Sequence, residues 1–305
     1  MKRITFIVAC VFLAAFSSCQ KDKEIGAPIN IKPDYVLPQT GASASANARI
    51  QAIFDKYDSF ILYDFTQRDA LWEQSTGSPG ITNYEITPGD LQNVDAMLDF
   101  IEEAWLDHYP DDFLKEVGLP YRVFIGDEII QDRSTPTSPF FIYYDFKLTG
   151  KSFALARMND IPTMTGEEKT ALKNSWFVSM WSYYSNYLTV PDEFYNVSNY
   201  ITAPTLPLYI AANLEAYRQR GFLPSNYTNY GMDEWYNYAA SSWENARAND
   251  LASFLYHLTR RTDEQMAAYL DNPDYSLIRE KWEILKKHYK DVHGIDVRAI
   301  VNQTF

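Results

Sequence analysis

Four histidines are the side chains in this chain best suited to hold a metal or move a proton near neutral pH: His108, His257, His288 and His293. No two of them stand four residues apart, the spacing that puts two imidazoles on one helical face, so HExxH is absent. His288 sits among Lys286, Lys287 and Lys290, a positive setting that disfavours a cation, and reads as a solvated helix end. His257, between Tyr256 and Leu258 on an amphipathic stretch, reads as a core or rim histidine. There is no Gly-x-Ser-x-Gly elbow, no Cys–His pair and no glycine-rich phosphate loop. Carboxylates are plentiful, as in Glu102-Glu103, Asp111-Asp112 and Asp127-Glu128, and a glycosidase needs two of them across a cleft. Their pattern places most on polar helix faces or in turns. The acids from Asp291 to Asp296 do not alternate as a calcium-binding EF-hand loop requires. These residues imply no metal, no cofactor and no catalytic group.

The elements that would position any site follow from hydrophobic period. Ile50, Ile53, Phe54 and Tyr57 predict a helix over 46–57, and a strand follows at 60–65. Gly77, Pro79 and Gly80 mark 75–87 as a loop. Leu91, Val94, Leu98, Ile101 and Trp105 keep the 3.6 period of a long helix. Strands are expected at 121–125, 139–146 and 152–157, with a loop at 158–164. From Gly166 the chain is nearly all helical. One helix runs to Leu188, with Leu172, Trp176, Met180, Tyr184 and Tyr187 on one side. Another covers 205–220 and stops at Gly221, as a C-terminal glycine does. The aromatic-rich segment 227–243 resists assignment. Further helices are expected at 246–258, 263–270, 275–288 and 296–302. The pattern is that of one α+β domain over 46–305, with a small mixed sheet in the N-terminal half packed on a mostly helical C-terminal half.

The N-terminus carries the other chemically informative residue. Lys2 and Arg3 precede an apolar run from Ile4 to Phe16, and Ser17-Ser18-Cys19 closes it. This has the form of a secretory signal over 1–18, and the run is too short for the roughly 20 residues of a spanning helix. With Cys19 after small residues, it resembles the lipobox of bacterial lipoproteins. That implies a diacylglycerol thioether on Cys19 and a membrane attachment through lipid alone. Residues 19–45, rich in Pro, Gly, Ser and charge, read as a lipidated flexible tether. The polar run Gln20-Lys21-Asp22-Lys23-Glu24 resembles export signals of surface-exposed lipoproteins, which leans the reading to the cell surface.

Composition narrows the partners. The chain of 305 residues carries 27 Lys and Arg against 40 Asp and Glu. The signal holds two of the basic residues and no acidic one, which leaves 25 against 40 and a net charge of −15. Such an acidic excess argues against nucleic acid and against adsorption to an anionic bilayer. Cys10 leaves with the signal, so an acylated Cys19 leaves no thiol for a disulfide, and the fold must rest on its core. Aromatic residues make up 16%, with 23 Tyr and 7 Trp, which suits a large core and also sugar-stacking or protein-binding faces.

The order of short motifs resembles a known family. After the anchor and tether come Tyr63-Asp64-Phe65, a long helix ending near Tyr109-Pro110-Asp111-Asp112-Phe113-Leu114, then Tyr121-Arg122-Val123-Phe124-Ile125 and Met158-Asn159-Asp160. Pro191-Asp192-Glu193-Phe194, Arg220-Gly221-Phe222-Leu223, Asn249-Asp250-Leu251-Ala252 and His293-Gly294-Ile295-Asp296 follow. This resembles the zinc-binding metallopeptidase lipoproteins encoded beside SusC/SusD-type outer-membrane importers, also called substrate-import-associated zinc metallohydrolases. The likeness runs over most of 45–303. It implies a zincin-like fold, an outer-membrane location, and a place beside a SusC/SusD-type complex with a glycan or peptide ligand.

The chain departs from that family where the chemistry lies. The resemblance puts HExxH on Phe177 to Trp181, or one residue later at Val178 to Ser182, and neither register contains a His or the catalytic Glu. The family's Glu-Asp-Phe-Ala-Glu appears as Asn249-Asp250-Leu251-Ala252-Ser253, in which Asp250 survives and both Glu positions are replaced. Phe177, Val178, Trp181, Ser182, Asn249 and Asp250 are thus the expected remnant of the site. Without imidazoles there is little zinc affinity, and without the Glu no base for a metal-bound water. The resemblance therefore implies a degenerate, non-catalytic accessory protein. An active hydrolase with an unrecognised site, and an interaction lipoprotein unrelated to uptake, are the alternatives.

Overall fold

In a computed structural model the described residues are 35–71, 83–149, 152–203, 211–224 and 240–305. Cys19 and the expected signal and tether up to residue 34 lie outside them, as does most of 227–243. Helix α1 (Ala44–Tyr57) begins where the Ser43 hydroxyl accepts the Ala46 N–H, and it ends at Asp58, whose φ of 58° is left-handed. Strand β1 (Phe60–Leu62) follows, then the short α2 (Gln67–Leu71), β2 (Asn83–Ile86) and α3 (Val94–Ala104). Next come β3 (Arg122–Ile125), β4 (Ile129–Asp132), β5 (Phe141–Tyr144), β6 (Phe146–Thr149) and β7 (Ser152–Leu155).

The helical half starts with α4 (Gly166–Tyr184). Thr165 and Glu168 close a reciprocal capping box at its N-terminus, which satisfies two otherwise orphan amides. Then follow α5 (Asp192–Asn196), α6 (Ala211–Gln219), α7 (Ala246–Arg260), α8 (Asp263–Leu270), α9 (Ser276–His293) and α10 (Val297–Asn302). Gly294, at φ 71°, caps α9 and presses on Pro110, a place where a Cβ has no room.

The fold is mixed α+β with its strands in the N-terminal half, as the hydrophobic pattern implies. The strands divide into two sheets, where the sequence suggested one. The first is mixed, in the order β1-β3-β7-β6, with β1, β3 and β7 parallel and β6 antiparallel on the edge. Every residue of β3 and β7 is buried, which explains their lack of polar alternation. The second is antiparallel, in the order β2-β4-β5. Two details correct the sequence reading. Residues 83–86, expected as loop, form β2, because Tyr84 and Ile86 pair across to β4. The stretch 139–146 breaks at Asp145 into β5 and β6, which join different sheets.

Helix α4 packs on β6 and α7. The Trp176 indole N–H donates to the carbonyl of Asp145 at 2.9 Å, and Tyr183 meets Phe153 of β7 edge-on at 5.3 Å. Residues 37–305 form one compact unit. No helix among the described residues is long and apolar enough to cross a membrane.

Candidate functional site

The expected remnant site is filled. Phe177 and Trp181, one helical turn apart on α4, are buried in the main core with their rings 5.7 Å apart. Trp181 in turn stands edge-on to Tyr289 of α9 at 5.1 Å. Met180 and Tyr184 continue the same buried stripe. Val178 is half-buried and Ser182 exposed, its hydroxyl spent on the Val178 carbonyl at 3.1 Å. Whichever register is taken, this segment contains no His, Cys, Asp or Glu to ligate a metal. Burying each such ring contributes about 1.5–3 kcal/mol, so the segment serves stability. One flaw remains. The Trp181 indole N–H is buried without a hydrogen-bond partner among the described residues.

Asp250, another residue of the expected remnant, is equally committed. It lies fully buried on α7, and its Oδ2 receives the Lys281 ammonium of α9 at 2.5 Å and the Tyr200 hydroxyl. Lys281 also donates to the Gly221 carbonyl at 3.0 Å and to the Tyr200 oxygen at 3.3 Å. Its ammonium sits 4.8–5.4 Å from the ring centres of Phe194, Tyr200, Phe222 and Phe254, an aromatic cage that replaces part of its hydration. Burial pushes the Asp250 carboxyl up and the Lys281 ammonium down, each against the attraction of the other. Burial, and then the Asp250 charge, raises the Tyr200 phenol. Asp250 Oδ1 has no partner among the described residues. Asn249 is half-buried, and its carbonyl accepts the Ser253 hydroxyl at 2.9 Å. The sequence reading missed Lys281. The available signal was its position: Ile278, Lys281, Trp282, Leu285 and Tyr289 make one buried stripe, and Lys281 stands where an apolar residue belongs.

A second buried lysine, Lys173 on α4, donates to the carbonyls of Ile300 and Gln303 at the end of α10. A cation there meets the negative end of that helix, while burial pulls its ammonium down to about 8. His257 is buried and donates from Nε2 to the Pro224 carbonyl at 3.0 Å, the core role expected of it. His108 meets Gln303 Oε1 at 2.8 Å. His288 corrects its reading as a solvated helix end. Helix α9 runs on to His293, and both imidazoles are half-buried against Thr189. The lysines that surround His288 in sequence turn away, to Glu283, Asp291 and Asp296. No group of three or more His, Cys, Asp or Glu able to hold a metal occurs among the described residues.

Open surface lies elsewhere. Two clefts, of about 460 and 430 Å³, flank the β2-β4-β5 sheet and share Tyr143. The pairing register places Tyr143, Ile130 and Glu85 on one face together with Phe141 and Asp132. Phe141 and Tyr143 are 49% and 63% exposed on that face, whereas Ile86, Ile129 and Gln131 on the reverse face are buried. The larger cleft is lined by Asp127, Glu128, Asp145 and Asp160 beside Tyr143 and Tyr144. Arg157 at its rim pairs with Asp160 at 2.6 Å. Neither cleft, nor a third of 220 Å³ beside Leu172, is lined by any remnant residue. The exposed pair was not legible in the sequence, because Phe141-Ile142-Tyr143-Tyr144 shows no polar alternation and only the burial alternates.

No family model matches the chain, and no curated protein sequence matches it. Among solved structures, it is similar to a crystal structure described as a "putative zinc-binding metallo-peptidase" from Bacteroides caccae. The identity is 11% and the TM-score 0.42, over 86% of this chain and 92% of that one. A likeness of that strength carries no conclusion about activity.

Proposed function

We propose that this chain is a non-catalytic, zincin-like accessory lipoprotein of a SusC/SusD-type outer-membrane nutrient uptake system. It is lipidated at Cys19, faces the cell surface, and binds a glycan through the aromatic face of the β2-β4-β5 sheet. The observation that carries the loss of catalysis is the filling of the remnant site: Phe177 and Trp181 belong to the core, and Asp250 is bound to Lys281. The binding surface follows from what remains open. Phe141 and Tyr143 offer flat apolar rings two residues apart on a strand. Glu85 and Asp132 beside them are acceptors for hydroxyl groups, a combination suited to a sugar chain. The uptake partner and location rest on the order of sequence motifs and on the N-terminal run ending at Cys19.

Three measurements test the reading. Protein purified without a metal-affinity tag is expected to hold no stoichiometric zinc by elemental analysis. One zinc per chain retained through dialysis, with hydrolysis lost on chelation, would instead establish an active hydrolase. Cys19→Ala is expected to release the protein from membranes, and retention of that variant in high salt counts against lipid anchoring. Isothermal titration with oligosaccharides is expected to show binding that Tyr143→Ala abolishes. Undiminished binding by that variant places the ligand elsewhere.

A further inference from the structure

The imidazoles of His288 and His293 both point Nε2 at one residue, Thr189, in the connection between α4 and α5. The Thr189 hydroxyl lies 2.9 Å from His288 Nε2 and 3.1 Å from His293 Nε2. The Thr189 backbone N–H donates to His293 Nε2 at 3.2 Å, and the Thr189 carbonyl lies 3.1 Å from His288 Nε2.

Proton accounting assigns both tautomers. A carbonyl oxygen only accepts, so His288 Nε2 carries a hydrogen. A backbone N–H only donates, so His293 Nε2 carries none and its hydrogen is on Nδ1. The Thr189 hydroxyl then accepts from His288 and donates to His293, and every proton has a place. Only a neutral His293 fits this arrangement. A proton on its Nε2 turns an acceptor into a donor, facing the Thr189 N–H and the hydroxyl that His288 already drives toward it. It also puts a cation beside the second imidazole, whose ring centre is 5.4 Å away.

We propose that Thr189, His288 and His293 form an acid-released clamp, which holds the α4–α5 connection on the end of α9 at neutral pH and lets it go when His293 takes a proton. The clamp closes over the core cluster described above. Tyr289 lies between the two histidines in sequence, its ring 5.8 Å from His288 and 6.2 Å from His293, and it packs on Trp181. Leu188, next to Thr189, is buried in the same core. Release therefore loosens the cover of the aromatic group that fills the remnant site.

The surrounding charges do not offset the proton. On α9, Lys286, Lys287 and Lys290 are engaged by Glu283, Asp291 and Asp296. From the α5 side, Asp192 and Glu193 are exposed and Tyr195 is half-buried, and on α9 itself the Tyr289 ring stands beside both imidazoles. Among the described residues no carboxylate pairs with either imidazole. Burial, and then the neighbouring His288, hold His293 below the usual histidine range, in keeping with a neutral ring.

Amide hydrogen exchange on the full chain tests the clamp. After correction for intrinsic rates, protection at the Thr189 amide is expected to fall more than tenfold between pH 7.5 and pH 5. In His293→Gln, whose Oε1 reaches the place of Nε2 and accepts the same N–H without titrating, the fall is expected to vanish. Equal protection at both pH values in the natural protein, or the same fall in the variant, overturns the proposal. If the variant does not fold, nitrogen NMR of the natural protein decides. Nδ1–H at His293 and Nε2–H at His288 near pH 7.5 support the clamp, and the reverse assignment refutes it.

Discussion

Two aromatic groups in this molecule use the same residue types to opposite ends. On α4, Phe177 and Trp181 are turned inward and meet Tyr289, while on β5, Phe141 and Tyr143 are turned to water beside two clefts. The first stabilises and the second is available for binding. The difference lies in what surrounds each group. Helix α4 is covered by β6, α7 and α9, so its broad apolar stripe has no free side. The β2-β4-β5 sheet buries only one face, so every second residue of β5 stays in solvent. An aromatic-rich sequence therefore says little about binding until the covered face is known.

The sharpest way to break this contrast is to damage the buried side. Asp250→Ala leaves the Lys281 ammonium buried without its counter-charge and is expected to destabilise by about 3–5 kcal/mol in chemical denaturation. Trp181→Ala is expected to cost a similar amount, about 3–5 kcal/mol, because the cavity lies in a packed core. If it left stability nearly unchanged, Trp181 would belong to a binding groove instead, and the two regions would not differ as described. The exposed side should respond otherwise. Phe141→Ser and Tyr143→Ser are expected to stay within about 0.5 kcal/mol of the natural protein. A larger loss would mean that this face is covered.

A finer probe is Trp181→Phe. It gives up some packing but removes an indole N–H that has no partner among the described residues, so the net change is expected to fall below about 1 kcal/mol in either direction. The smallest effect concerns pH. Because His293 is held below the ordinary histidine range in the folded state, the unfolded chain binds its proton first on acidification. That contribution to stability is present above about pH 6.5, the unperturbed value, and is lost as pH falls through the lower folded value. Denaturation midpoints of the natural protein and His293→Gln are expected to converge as pH falls through that window. Parallel curves would assign the acid sensitivity to other groups.

Local pattern carried much of the fold. The 3.6-residue period marked α1, α3, α4, α7, α8 and α10 to within a few residues, since each buries one stripe, and α1, α4, α8 and α10 also start at a capping side chain. It failed at β2 and β4, which are four residues long and gain their stability by pairing with each other, a contact made across more than forty residues of chain. It also ended α9 too early, at His288, because the last turn is held by Thr189, about a hundred residues away.

By itself the sequence determined the mixed α+β class, the acidic surface and the absence of HExxH, because these depend on residue type and on spacing within a single element. Only the tertiary structure decided that Asp250 belongs to Lys281, that Trp181 is core while Tyr143 is surface, and that two histidines share one threonine. Burial and charge pairing arise between elements distant in the chain, and the spacing within any one of them does not encode which others will cover it.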